Sequence, residues 1–130
     1  MWMLDTDTCS YILRTHSATV VARLDAVPRN EVEISAVVAA ELRYGVERVK
    51  ARKLAATVEA WLGLFTIAPW DDEAAQVYAK VRTGLDAIGK PIGSLDVLIA
   101  SHALARDATL VTNNTRHFSQ VPKLHVENWL

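Results

Sequence analysis

A single cysteine, Cys9, stands in a chain of 130 residues. That excludes a disulfide framework and any thiolate metal site, and fits a reducing compartment. Cys9, near the start of a helix, reads as a small buried filler rather than an activated thiol. No apolar run approaches the length of a spanning helix, and no basic segment followed by an apolar stretch opens the chain. A cytoplasmic protein without a membrane partner is expected. Neither charge sign is in excess: 14 Lys and Arg face 15 Asp and Glu, for a net charge of −1. Affinity for nucleic acid therefore has to come from a local surface. The four histidines, His16, His102, His117 and His125, lack zinc-type spacing. Repeats, low-complexity tracts and linkers are missing too, which leaves one domain over residues 1–130.

What is present alternates between short strands and helices. Residues 1–4 read as a strand, and Asp5-Thr6-Asp7-Thr8 turns the chain into a helix that either Asp5 or Asp7 could cap. Asp7 is the favoured cap, and Asp5, nearer the strand end, is expected to point into the cleft. A helix over 18–27 stops at Pro28, and 31–34 (EVEI) alternates as a strand should. Ser35 caps a helix from 36 to about 49, and another covers 53–62 up to Gly63. A strand over 64–68 is closed by Pro69, and Asp71 and Asp72 start a long helix to about 88. Gly89, Pro91 and Gly93 form a loop, and Ser94 caps a helix to about 105. Strands over 109–112 and 124–126 complete the chain. Such alternation predicts an α/β fold, with a mostly parallel central sheet flanked by helices.

Three acids lie within or against apolar stretches, where an ionised carboxylate is expensive unless paired, hydrogen-bonded or metal-bound. Asp5 directly follows the first strand, and Thr112-Asn113-Asn114 directly follows the strand TLVT, so both should open on the ligand-binding edge of a parallel sheet. Asp96 sits on a helix that is apolar nearly all round, on a face shared with Ala100 and Ala103, whose small side chains leave room beside it. The helix dipole alone explains tolerance of an acid there, but not that room. Glu41 flanks the apolar arc of its helix, where a boundary glutamate is the ordinary reading. Gly45, one turn on, costs about 1 kcal/mol relative to Ala, which calls for a close approach by a neighbour. Together the acids suggest a carboxylate cluster for a hard divalent cation.

The remaining polar residues are less telling. Asn113 and Asn114 are ordinary turn residues by default, and also fit as partners of the acids or of a phosphate. Arg43, Arg48 and Lys50, with Arg52 and Lys53, follow Glu41 as a basic cluster. Most such clusters are solvated helix faces; near the acids, these could grip an RNA backbone.

The segments LDTDTCSYI, SAVVAAELRYGVER, GKPIGSLDVLIASHA and LVTNNTRHFSQVPKLHVENW resemble, in order and spacing, the PIN-domain ribonuclease toxins of the VapC type. The likeness runs the length of the chain, and its ELRYG, PIGSLDVLIASHA and TNNTRHF segments are specific together. It implies a PIN-like nuclease domain and a metal-dependent endoribonuclease, the toxin of a bacterial toxin–antitoxin pair, with tRNA a frequent substrate. By matching position, Asp5, Glu41 and Asp96 are the catalytic acids and ligands of Mg²⁺, with Mn²⁺ as a substitute. Thr6, Asp7, Thr112, Asn113, Asn114 and His117 would support those acids or position substrate.

In that family a metal-activated water attacks phosphorus, leaving a 5′-phosphate and a 3′-hydroxyl, and Glu41 is a candidate acceptor of the water's proton. The implied partners are RNA, a cognate antitoxin occupying the acidic cleft, a second copy in a homodimer, and a larger toxin–antitoxin complex. Two positions depart from the pattern. Asp7 stands where the family commonly has Asn, and His117 where an acid often precedes the Phe. Asn114, through a water, or Asp7 would then fill the fourth place.

Two other readings follow from the same residues. Asp5-Thr6-Asp7-Thr8 fits the DxDxT motif of HAD-like phosphohydrolases, with Asp5 as nucleophile, but the downstream lysine and acidic pair are wanting. An inactive PIN-like module that binds RNA or protein is the second.

Overall fold

The computed structural model describes residues 1–90 and 92–130; Pro91, expected in the loop beside Gly89 and Gly93, lies outside the described residues. Strands β1 (Trp2–Leu4), β2 (Val32–Ser35), β3 (Thr66–Ala68), β4 (Thr109–Val111) and β5 (Val126–Glu127) form one sheet in the order β3-β2-β1-β4-β5. Every neighbouring pair is parallel. The helices are α1 (Thr6–Thr15), α2 (Ala18–Asp25), α3 (Ala36–Val49), α4 (Arg52–Leu62), α5 (Asp72–Ala87), α6 (Ser94–Ala105) and the single turn α7 (Thr115–Phe118). The expected α/β architecture is therefore the observed one.

The strand order places the site. From β1 the chain builds outward through β2 and β3, then returns to lay β4 on the other side of β1. Such a reversal opens a crevice beyond the carboxyl ends of the two strands that flank it. Leu4 lies beside Val111, and the Asp5 amide donates to the Val111 carbonyl at 3.0 Å, so β1 and β4 end level. Beneath that edge, Leu4, Ile34, Leu110 and Val111 are fully buried, with Val38 of α3 and Ala100 and Ala103 of α6 packed in the same core.

Several boundaries differ from expectation, each for a local reason. Asp5, not Asp7, caps α1: its Oδ1 accepts from the Thr8 amide at 2.8 Å, while Asp7 sits exposed in the first turn. The strand ends at Leu4 as expected, but the helix begins at Thr6, two residues earlier than a cap at Asp7 requires. Gly93 rather than Ser94 precedes α6, and Ser94 is its first helical residue. Helix α2 stops at Asp25, and a 3-10 turn, Arg29–Glu31, moves the second strand to Val32–Ser35. Ser35 does cap α3, accepting from the Val37 amide at 3.1 Å. Helix α5 ends in a Schellman turn: Gly89 adopts φ 65°, its amide donates to Asp86 at 3.2 Å and that of Lys90 to Leu85 at 3.0 Å.

The apparent alternation of β2 conceals two polar ties from buried strand residues to α6. Glu33 is 4% exposed, and Arg106 binds it with two guanidinium nitrogens, Nε at 3.0 Å. His102 is fully buried, with Nδ1 2.7 Å from the Ser35 hydroxyl. Burial, reinforced by the Arg106 charge, holds the His102 pKa below its ordinary value. The unfolded chain therefore takes up this proton more readily than the folded one. The associated stability is complete above the ordinary histidine value of about 6.5 and falls as pH drops through it. Urea unfolding between pH 7.5 and 5 should show that loss, and His102→Asn should flatten it. No helix among the described residues is long and apolar enough to cross a membrane.

Candidate active site

Four carboxylates line one small cavity at the end of β1. Asp5, Thr6, Asp7, Glu41, Asp96, Asn114 and Phe118 enclose about 80 Å³, room for an ion and a few waters. Asp5 is carried there by the strand end, Asp7 by the first turn of α1, Glu41 by α3 and Asp96 by the first turn of α6. Each of the three expected acids is held by a neighbour. Thr6 donates its hydroxyl to Glu41 Oε1 at 2.6 Å, the Thr8 amide binds Asp5, and His117 Nε2 lies 3.1 Å from Asp96 Oδ2. Because an ionised carboxylate only accepts, the imidazole donates in that last bond.

The electrostatics are unbalanced. Asp5 is 4% exposed, and burial raises its carboxyl pKa; hydrogen bonds from Thr112 and Thr8 oppose the rise, and the Asp7 charge adds to it. No lysine or arginine lines the cavity among the described residues. Nor do any three His, Cys, Asp or Glu side chains among them meet at chelating distance. The acids face a shared space rather than a shared point, as expected of like charges each restrained by a separate partner. A hard, oxygen-only donor set and a desolvated, uncompensated carboxylate fit a divalent cation of the Mg²⁺ class. The thiol of Cys9, fully buried and with its pKa pushed well up by burial and by Asp5, takes no part.

The other expected residues divide. Thr6, Asp7 and Asn114 line the cavity, and Asn114 is fixed by its amide to the Thr112 hydroxyl at 2.9 Å. Asn113 is exposed and His117 reaches the cavity only through Asp96. Arg43, Arg48 and Lys50 do not border it: Arg43 forms a two-pronged pair with Glu59 on α4 at 2.9 Å, and Arg48 lies 5.9 Å over Tyr44. Ala100 and Ala103 do not provide the room beside Asp96; they are buried in the core. Gly45 likewise meets no close neighbour, since a Cβ there would have nothing within 4 Å. It lies instead on an apolar groove.

That groove, about 310 Å³, runs between α1, α3 and α4 and shares Thr6 and Glu41 with the acid cavity. Leu13, Leu42, Val46, Leu54 and Val58 supply its walls, and Arg14 stands on its border. Two contributors to the site, Thr8 and Phe118, are not among the residues singled out from the sequence. Thr8, three residues after a capping acid, carried a usable signal. Phe118 and its helix α7 did not, because a single turn is too short to show a period.

The PIN domain family matches residues 2–124. Ribonuclease VapC2 of Rickettsia felis is 37% identical over 131 residues, covering 99% of this chain and 98% of that protein. The chain belongs to the VapC-type PIN-domain family. Among its VapC relatives, the tRNA(fMet)-specific endonuclease VapC of Shigella flexneri is 35% identical over 98% of this chain and 97% of that protein. The DNA-bound VapBC complex of Salmonella typhimurium superimposes with a TM-score of 0.95 at 31% identity, covering 99% of this chain and 98% of the VapC-like one. The HAD-like reading finds no support, as no lysine borders Asp5's cavity among the described residues.

Proposed function

We propose that this chain is a divalent-metal-dependent endoribonuclease, the toxin of a toxin–antitoxin pair acting in the cytoplasm on RNA, with tRNA as the substrate class to test first. The convergence of Asp5, Asp7, Glu41 and Asp96 on one cavity without a balancing cation supports this most strongly. The VapC names of its relatives support the chemistry, and two of them are named as specific for tRNA(fMet).

Asp5, Glu41 and Asp96 would hold Mg²⁺ or Mn²⁺, with Asp7 as the fourth acid of the cavity. Bound there, the ion would supply an acidified water and charge neutralisation at the phosphoryl oxygens. The chain's own residues do the positioning. The Thr8 amide and the Thr112 side chain fix the Asp5 carboxylate at the end of β1. Thr6 donates to Glu41 Oε1, which would leave Oε2 for the ion or for the proton of an attacking water. Asn114, held by Thr112, stands where a substrate phosphate or its water would be met. Incubating purified protein with total RNA, a tRNA fraction and an mRNA transcript tests the reading, with Asp96→Asn as control. Metal-dependent cleavage of tRNA by the wild type alone is expected; binding without cleavage would instead favour an inactive module.

Structures of VapBC complexes among the neighbours support an antitoxin partner. The groove suits it: an apolar segment seated there reaches Glu41 directly, and a basic side chain at its end would meet the acids. Leu54 is 44% exposed on the groove wall. Leu54→Glu should weaken antitoxin binding about tenfold or more, measured by calorimetry, while RNA cleavage is retained. Unchanged affinity would place the partner elsewhere.

A further inference from the structure

His117 does not line the acid cavity, yet its ring is fixed with respect to it from three sides. Its Nε2 lies 3.1 Å from Asp96 Oδ2. The ring packs edge-on against Phe118, with centroids 5.3 Å apart and planes at 83°, and Phe118 is 2% exposed and forms part of the cavity wall. The backbone beneath is equally tied. The amides of His117 and Phe118 both donate to the Asn114 carbonyl, at 3.1 and 3.2 Å, and Asn114 is bound to Thr112 at the end of β4.

The segment from Thr112 to His117 thus straps the end of β4 to the first turn of α6. At one end Thr112 acts on Asp5; at the other His117 holds Asp96. With Oδ2 taken, Oδ1 is the oxygen that Asp96 can turn to the cavity.

The pair contributes little else. Its side chains are 26% and 40% exposed, and polar pairs so open to solvent add little to folding. An aspartate in the first turn of α6 without that partner would sample several rotamers, and ordering it would weaken ligand capture. A hydrogen-bond donor behind a ligating carboxylate removes that penalty and is worth about 10–100-fold in metal affinity.

We propose that His117 is a positioning residue that orients Asp96 for cation binding through its Nε2–H. This rests on the metal reading of the cavity above. His117 acts on Asp96 from behind, and the fourth acid facing the cavity is Asp7.

The test is calorimetric titration of metal-free protein with Mn²⁺, in wild type, His117→Ala, His117→Gln and Asp96→Asn, with thermal unfolding in EDTA for each. Glutamine places an amide donor near the position of Nε2. The expected result is binding by the wild type, about 10–100-fold weaker binding by His117→Ala, and binding within about threefold of wild type by His117→Gln. Unfolding temperatures of the two His117 variants should match wild type, and excess Mn²⁺ should restore cleavage by His117→Ala. Equal affinity of His117→Ala and wild type, with binding lost in Asp96→Asn, overturns the role of His117 and leaves the metal site standing. Equal weakening in the alanine and glutamine variants overturns the hydrogen-bond assignment. No binding in the wild type overturns the metal reading, and the proposal with it.

Discussion

Asp5→Asn should lower RNA cleavage by about 10²–10³-fold while making the metal-free protein more resistant to heat at neutral pH. The two effects have one cause. Burial raises the Asp5 carboxyl pKa, and the neighbouring Asp7 charge adds to the rise. Ionised at pH 7, the folded state thus carries a carboxylate that the unfolded chain ionises more easily, and the difference weighs against folding. Asparagine removes the charge but keeps the cap on α1, since Asn and Asp are nearly equal there. The stability advantage of the variant should be largest at neutral pH and shrink as pH falls through the raised pKa toward the ordinary aspartate range. Thermal unfolding in EDTA at pH 7 and pH 4 reads it. A less stable variant at pH 7 would mean that the charge is already compensated.

Arg106→Leu should destabilise the fold by about 1–3 kcal/mol, measured by urea unfolding, less than for a pair buried on both sides because Arg106 is partly exposed. Glu33 is 4% exposed on β2, and its two oxygens are met by the guanidinium at the end of α6. Removing the arginine leaves a buried carboxylate without a partner, which is far worse than lacking the pair altogether. Adding Glu33→Gln to Arg106→Leu should therefore recover part of the loss, a coupling that independent sites would not show. Arg106→Lys, with a point charge in place of a two-pronged donor, should fall between. RNA cleavage at a temperature where all variants are folded should change little, because the pair lies away from the acids.

These two cases mark what could be read from the residues. Asp5 is legible in position because strand–helix alternation fixes which sheet edge a carboxylate directly after β1 faces, although its second use, as the cap of α1, is an ordinary one for such an acid. Glu33 is not. EVEI alternates like a half-exposed strand, yet all four residues of β2, Val32–Ser35, are buried. In a sheet covered on both faces, polarity along a strand reports a partner on the next layer, not solvent. The same limit applies to Ala100 and Ala103, which share a helix face with Asp96 but do not line its cavity. Small residues on a buried helix show only that something packs closely, and here it is the core. Arg43, Arg48 and Lys50 lie close to Glu41 in sequence, whereas in the fold Glu59, on a different helix, binds Arg43. The link from His117 to Asp96 spans 21 residues and belongs to tertiary structure alone.

The most direct test of the whole account is the chemistry of the cut ends. Purified protein, freed of any antitoxin, is incubated with tRNA in Mg²⁺ or Mn²⁺ and in EDTA, and the fragment termini are mapped. Hydrolysis at a carboxylate-held metal predicts 5′-phosphate and 3′-hydroxyl ends, formed with metal and absent in EDTA. Ends bearing a 2′,3′-cyclic phosphate, or cleavage that persists in EDTA, would contradict it.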